Sequence, residues 1–219
     1  MGMVTMLDGW IGELLNVLDA RGLAEDTVVI YTSDHGDMWG EHGLWGKQVF
    51  FEESAPVPLI VSGPACGIRG GASVSTPVSL LDIAPTILDA AGIPIPQAWQ
   101  GISLCSTQTG TEPTARVLYA QLPGDRRFMA LDFPYKLMLD TTSGAPRAAL
   151  HQVVEDPLEE KDIAPFNVEK TEALMELLTQ HLEKTPPLTR LARQAIVSPE
   201  VMDNLRDLGY VGGQAAAIE

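Results

Sequence analysis

The segment Thr27-Val-Val-Ile-Tyr-Thr-Ser-Asp-His-Gly-Asp37 decides the fold of this chain. Its first half is a continuous, largely β-branched run, which is typical of a strand buried on both faces of a parallel sheet. The run leads directly into the polar turn that begins at Ser33, and ligands of open α/β sheets gather where strands end. The segment therefore predicts an α/β core with a functional site directly after this strand.

The flanking sequence continues the α/β pattern. Apolar residues at helical spacing predict a helix over 3–21, with Gly22 as its C′ residue. Short apolar runs predict strands over 58–61 and 74–78. A helix is expected over 82–91, with Asp82 as its N-cap and Gly92 after its end.

The second half of the chain has a different pattern. After a connection rich in Pro, Gly, Ser and Thr, four short strands separated by turn residues predict an antiparallel meander, over 117–122, 128–131, 135–139 and 149–154. A helix follows over 170–184. We therefore expect three parts: an α/β core piece over 1–110, a small antiparallel α+β subdomain over 111–185, and a tail over 186–219.

Composition excludes several classes of function. The chain has 219 residues and a formal net charge of −15. This acidic balance argues against a nucleic-acid partner and against docking on an anionic membrane. No apolar run is long enough to span a bilayer. The two cysteines, Cys66 and Cys105, match no zinc spacing and are expected to be loop or core thiols.

The stretch from Ser33 to Lys47 concentrates the residues that can do chemistry. A carboxylate at Asp34 and an imidazole at His35 are together good ligands for a divalent metal. Lys47 offers a compact cation to an anionic substrate oxygen. The alternative is an ordinary turn in which Asp34 accepts backbone hydrogen bonds and His35 is exposed. The four interleaved glycines and the buried strand before the turn favour a site.

These motifs resemble the sulfatase branch of the alkaline phosphatase superfamily, which also includes phosphonate monoester hydrolases. The resemblance rests on Ser33-Asp-His-Gly-Asp37 and Gly40-Glu-His-Gly-Leu-Trp-Gly-Lys47, and it continues in order through residues 51–61, 82–93, 100–104, 155–164 and 205–212. It implies the C-terminal part of an alkaline-phosphatase-like mixed or parallel sheet with flanking helices, followed by the small antiparallel subdomain.

The resemblance also implies roles for individual residues. Asp34 and His35 would be metal ligands, with calcium as the first choice and manganese or zinc as alternatives. Lys47 would hold the oxygens of a small-molecule sulfate ester. His42 would either assist the leaving group or orient the loop, and both readings stay open.

The same resemblance implies supporting roles for four further residues. Asp37 and Glu41 are interpreted as loop residues that support the ligands. Trp39 and Trp45 would either wall the substrate pocket or pack under the loop.

The chemistry of this family needs a nucleophile, a Cys or Ser in Cys/Ser-x-Pro-x-Arg that is oxidised to formylglycine, and this pattern does not occur in the sequence. Cys66-Gly-Ile-Arg69 lacks the proline and places the arginine too early. We therefore expect a C-terminal fragment of a sulfate ester hydrolase, inactive alone, with further metal ligands in a missing N-terminal part. The alternatives are a phosphate or phosphonate ester hydrolase fragment, or a non-catalytic module that associates with a partner or with itself through an exposed sheet edge. The compartment stays open.

Overall fold

The computed structural model describes residues 2–63, 71, 73–105, 115–122, 124 and 126–185. They group into two compact units, Met1–Asp34 with Val57–Arg116 and His35–Pro56 with Val117–Glu219. Residues 35–56, which the sequence patterns placed with the α/β core, thus group with the C-terminal strands. The three-part division stays a prediction, and its tail over 186–219 lies outside the described residues.

Eleven helices and strands are described, apart from short 3₁₀ turns. They are α1 (Gly2–Ala20), β1 (Val29–Thr32), β2 (Met38–Trp39), β3 (Trp45–Gly46), β4 (Leu59–Ser62), α2 (Ile83–Ala90), β5 (Leu118–Gln121), β6 (Arg127–Asp132), β7 (Tyr135–Asp140), β8 (Arg147–Gln152) and α3 (Val168–Lys184). Among the described helices, none combines the length and the apolar composition that crossing a bilayer requires.

Helix α1 and strand β1 form as predicted at the start of the first unit. The helix ends at Ala20, and Gly22 follows it with a φ of +68°, which suits a residue without a Cβ. The N–H of Leu23 donates to the carbonyl of Leu18 at 2.9 Å, which satisfies one of the last helical acceptors. The apolar side chains of α1 are not buried, and Trp10 is 58% exposed.

The partner of β1 differs from the expected parallel neighbour. In the described residues β1 pairs with β4 in antiparallel register, from Val29 opposite Ser62 to Thr32 opposite Leu59. The connecting chain leaves and returns at the same end of this strand pair, which only an antiparallel arrangement allows. The strand predicted over 74–78 does not form among the described residues there.

The start of α2 also corrects a prediction. Asp82 stands at the N-cap position but its side chain does not cap the helix. Ser79 caps the preceding turn instead, its Oγ accepting from the N–H of Leu81 at 3.2 Å. The carboxylate of Asp82 is fully buried and accepts from Ile102 N at 2.9 Å and from the Arg116 guanidinium at 2.6 Å. Asp82 therefore fastens two later segments to the start of the helix rather than capping it.

The second unit contains the predicted antiparallel meander, in the strand order β5-β6-β7-β8. Side chains alternate between its two faces, and α3 packs on one of them. That face holds the core cluster, made of Phe128, Ala130, Leu137, Leu150, Leu174 and Leu178. Ala130 lies opposite Leu137, and Leu137 opposite Leu150, so the three form one row across the sheet.

Truncation of the core cluster should destabilise the second unit. Leu178 is 1% exposed, whereas its neighbour Leu177 is 37% exposed. We expect Leu178→Ala to lower the free energy of unfolding by about 2–5 kcal/mol, because it removes buried contacts and leaves a cavity. Denaturant titration followed by circular dichroism measures this. Leu177→Ala is the matched control and should cost much less, so equal losses would contradict the packing described here.

Stability should also depend on His151, which lies on the opposite face of the sheet and is 5% exposed. Burial lowers its pKa from 6.5, with Asp162 opposing and Lys136 reinforcing the shift. The unfolded chain therefore binds a proton at higher pH than the folded chain, so stability is present above pH 6.5 and falls as pH drops through the folded pKa.

His151→Gln removes the titrating group, so part of this pH dependence should disappear. The free energy of unfolding, measured between neutral and mildly acidic pH, should fall less steeply in the variant. His181, whose pKa is also lowered by burial, accounts for a remaining slope. An unchanged slope in His151→Gln would show that His151 does not control this transition.

Candidate active site

A short hairpin of β2 and β3 forms the frame of the candidate site. Met38, 1% exposed, anchors it, while Trp39 lies opposite Trp45 in the register. Both indoles are largely exposed, at 69% and 66%. Within this unit the two indoles therefore do not pack under the loop. Their role at a substrate pocket stays a prediction.

The hairpin turn requires unusual backbone conformations. Gly40 has a φ of +114° and is followed within the turn by His42, which has a φ of +54°. The carboxylate of Glu41 accepts from the N–H of Trp39 at 2.6 Å, and this backbone hydrogen bond lowers the pKa of Glu41. Glu41 thus closes the turn as an ionised side chain, which fits its interpretation as a loop residue.

His42 is held by an aromatic neighbour. Its ring stacks on Phe51, with centroids 3.8 Å apart and planes within 10° of parallel. Phe51 in turn contacts His151 edge to face at 6.2 Å. The left-handed backbone of His42 and this stacking together fix the direction of its imidazole.

His35 and Lys47 meet although 12 positions separate them in the chain. Lys47 Nζ lies 2.8 Å from His35 Nε2, and His35 Nδ1 lies 2.7 Å from the carbonyl oxygen of Gly36. A lysine ammonium only donates and a carbonyl only accepts. Both contacts therefore require the same tautomer, a neutral imidazole with its proton on Nδ1 and its lone pair on Nε2.

This tautomer fits a metal ligand. A histidine that binds a metal commonly donates its other ring N–H to a carbonyl or carboxylate, which orients the ring. Here the Gly36 carbonyl has that function, and the Nε2 lone pair accepts from the Lys47 ammonium, which a metal at Nε2 would displace. Asp34, the other predicted ligand, precedes His35 directly in the chain and is exposed.

A metal would need more ligands than these two. Within the described ranges no group of three or more His, Cys, Asp or Glu side chains is arranged to hold a metal ion. Calcium takes roughly six to eight oxygen ligands. Asp34 and His35, if they are ligands as predicted, would supply two of that number.

Gly36 allows the turn to approach the segment that follows Lys47. Its N–H donates to the carbonyl of Ser54 at 2.8 Å. A Cβ at this position would lie 2.1 Å from the carbonyl oxygen of Glu53. The φ of Gly36 is not among the left-handed ones, so the glycine is required for space and not for backbone conformation.

Several residues of the site were not identified from the sequence. Lys136 and Glu159 bind the segment after Lys47 and received no role, although a lysine within the apolar strand Tyr135–Asp140 is an unusual signal.

Cys105 is buried and disulfide-bonded, so the expectation of a thiol is wrong for it. Cys66 lies outside the described residues.

Residues 1–93 match the family model described as Sulfatase. This part of the chain is thus similar to the sulfatase family, within the alkaline-phosphatase-like superfamily. It is 45% identical over 118 residues to a choline-sulfatase from Rhizobium meliloti (strain 1021), covering 52% of this chain and 22% of that protein. It is 47% identical over 102 residues to arylsulfatase K from Bos taurus, covering 47% of this chain and 18% of that protein. The chain thus spans about a fifth of the length of these relatives.

Solved structures extend the likeness to most of the length of the chain. A protein solved in complex with its substrate D-glucosamine-2-N,6-O-disulfate has a TM-score of 0.73 at 29% identity, covering 82% of this chain and 39% of that one. A phosphonate monoester hydrolase of Agrobacterium radiobacter has a TM-score of 0.67 at 25% identity, covering 82% and 40%. The predicted alkaline-phosphatase-like fold class is confirmed.

The Gly36 contact yields a direct test. Gly36→Ala places a methyl group against a backbone oxygen that cannot rotate away, so we expect a loss of about 1–3 kcal/mol in the free energy of unfolding. Gly12→Ala in α1 is the control, since its added Cβ meets nothing within 4 Å. That change should stabilise the chain by about 0.5–1 kcal/mol. A neutral Gly36→Ala would refute the close approach.

Proposed function

We propose that this chain carries the metal and leaving-group side of a sulfate monoester hydrolase site. The observation that supports this most is the contact of Lys47 Nζ with His35 Nε2 at 2.8 Å. It brings a cation that can bind an ester oxygen together with an imidazole whose tautomer suits a metal. Asp34 and His35 would hold a divalent metal, calcium first, with manganese or zinc as alternatives.

Hydrolysis of a sulfate monoester breaks the bond between sulfur and the ester oxygen, and negative charge grows on that oxygen. A bound metal supplies Lewis-acid stabilisation of this charge. Lys47 is a fixed ammonium beside the same position and would stabilise the leaving oxygen by charge and hydrogen bonding. His42 would either donate a proton to the leaving group or orient the loop, and its stacking on Phe51 serves both roles.

The nucleophile would come from outside these 219 residues. No Cys/Ser-x-Pro-x-Arg pattern occurs in the sequence, and two ligands leave most of a metal's coordination sphere to other groups. We therefore propose that the chain does not turn over sulfate esters alone. The relatives suggest the type of substrate, since one is named a choline-sulfatase and another an arylsulfatase.

A phosphonate or phosphate ester is the second candidate substrate. The likeness to the phosphonate monoester hydrolase of Agrobacterium radiobacter favours it, with a TM-score of 0.67. Lys47 and a divalent metal would stabilise a phosphonate leaving oxygen by the same electrostatics. The described residues fit both esters, and the sulfatase family model favours sulfate.

Metal binding at Asp34 and His35 can be tested on the chain itself. Manganese, a paramagnetic probe, should broaden the NMR signals of the His35 ring at lower concentrations than those of His181, which lies on α3. Excess calcium should restore the His35 signals if both ions use one site. Asp34→Asn should weaken the effect on His35, because it removes an anionic ligand.

Turnover assays provide the complementary measurement. The purified chain should hydrolyse neither an aryl sulfate nor an aryl phosphonate with calcium or manganese present. Turnover that disappears in Lys47→Ala would show that the chain contains its own nucleophile, and the proposed division of the site would be wrong. Equal broadening of His35 and His181 would contradict the proposal that Asp34 and His35 hold a metal in this chain.

A further inference from the structure

The ammonium of Lys136 is buried in the second unit, on the sheet face opposite the core cluster. Lys136 is 1% exposed. Its Nζ donates to the carbonyl of Phe50 at 2.9 Å and pairs with Glu52 Oε1 at 2.5 Å and Glu159 Oε1 at 2.8 Å. Two hydrogen bonds and a second carboxylate at ion-pair distance thus surround the ammonium group. Phe50 and Glu52 belong to residues 48–54, which we call the anchor segment.

Glu159 completes this arrangement from a turn after β8. It is 2% exposed, and its other oxygen, Oε2, accepts from the N–H of Glu52 at 2.7 Å. Burial raises the pKa of Glu159, and the nearby Lys136 ammonium opposes this shift. Lys136 and Glu159 therefore contact both the backbone and a side chain of the anchor segment.

The anchor segment contacts the candidate site on its other side. The carbonyl of Ser54 accepts from the N–H of Gly36, next to His35. At the opposite end, the carbonyl of Gln48, next to Lys47, accepts from Arg127 Nη1 of β6 at 3.0 Å. His35 and Lys47 thus lie beside the two ends of a segment that the C-terminal sheet holds in place.

A buried ion pair is a poor source of net stability. Removing charges from water costs free energy that apolar packing would not, and the best-attested use of such groups is to specify one geometry. The Lys136 cluster binds backbone atoms of the anchor segment, and backbone atoms set the positions of the residues on either side. Its geometry therefore acts on the site residues and not only on the sheet.

We propose that Lys136 and Glu159 are positioning residues of the candidate site. They fix the anchor segment against the sheet, and the segment fixes the distance and orientation of His35 relative to Lys47. The consequence for hydrolysis rests on the proposed function, whereas the geometric effect does not. Disruption of the cluster should release the His35–Lys47 contact even where the sheet and α3 stay folded.

The tautomer of His35 reports this contact directly. Long-range ¹H–¹⁵N NMR spectra at a pH where imidazoles are neutral show which ring nitrogen carries the proton, and His35→Gln assigns the signal. The chain should show a protonated Nδ1 and an unprotonated Nε2, as the two contacts require. A released imidazole should show a mixture of both tautomers.

Three variants separate positioning from stability. Lys136→Met alone leaves Glu159 buried without its cation and can unfold the unit. The double variant Lys136→Met, Glu159→Gln removes both buried charges and is the main test. Leu178→Ala lowers the stability of the same unit from the other face of the sheet without touching the cluster. Circular dichroism confirms that each sample is folded.

The expected result is loss of the single His35 tautomer in the double variant and its retention in Leu178→Ala. Retention in a folded double variant would overturn the proposal, because the cluster would then be unnecessary for the contact. Loss in both variants would overturn it too, because lowered stability alone would explain the change. The readout requires neither turnover nor metal, so a failure of the proposed function would be recognised separately by the manganese titration.

Discussion

The close backbone contact between Gly36 and the Glu53–Ser54 peptide is the constraint on which the second unit depends. The N–H of Gly36 donates to Ser54 across a gap too narrow for a methyl group. This contact closes residues 36–54 into a loop that contains Lys47 and begins directly after His35. Without it, the hairpin could still form, but the imidazole and the ammonium would have no reason to meet.

Much of the secondary structure could be predicted because it depends on local patterns. The apolar spacing of α1 and α3 and the turn residues between β5 and β8 act within a few positions of each other. The wrong predictions concern longer-range choices. The antiparallel partner of β1 depends on where the intervening chain returns. Ser79 has the N-cap role, and the Asp82 carboxylate accepts from the N–H groups of Ser79 and Ile102 and from Arg116.

The sequence predicted the residues of the candidate site but not the buried residues that hold them in place. His35 and Lys47 belong to a stretch dense in polar and glycine residues, and the resemblance to sulfatases named them. The only signal for Lys136 was a lysine within an apolar strand, and such a lysine normally indicates a solvated face rather than a buried ion pair. Only the fold shows that the anchor segment covers that face and surrounds the ammonium with acceptors.

The contact at Gly36 has a consequence for how this part of the chain can evolve. Position 36 contributes its lack of a side chain, whereas Glu53 and Ser54 contribute carbonyl oxygens that every amino acid possesses. The contact therefore restricts the amino acid at position 36 only. It places no restriction on the side chains at positions 53 and 54. Insertions or deletions between positions 36 and 53 face a stricter limit, since they would change the length of the loop that the contact closes.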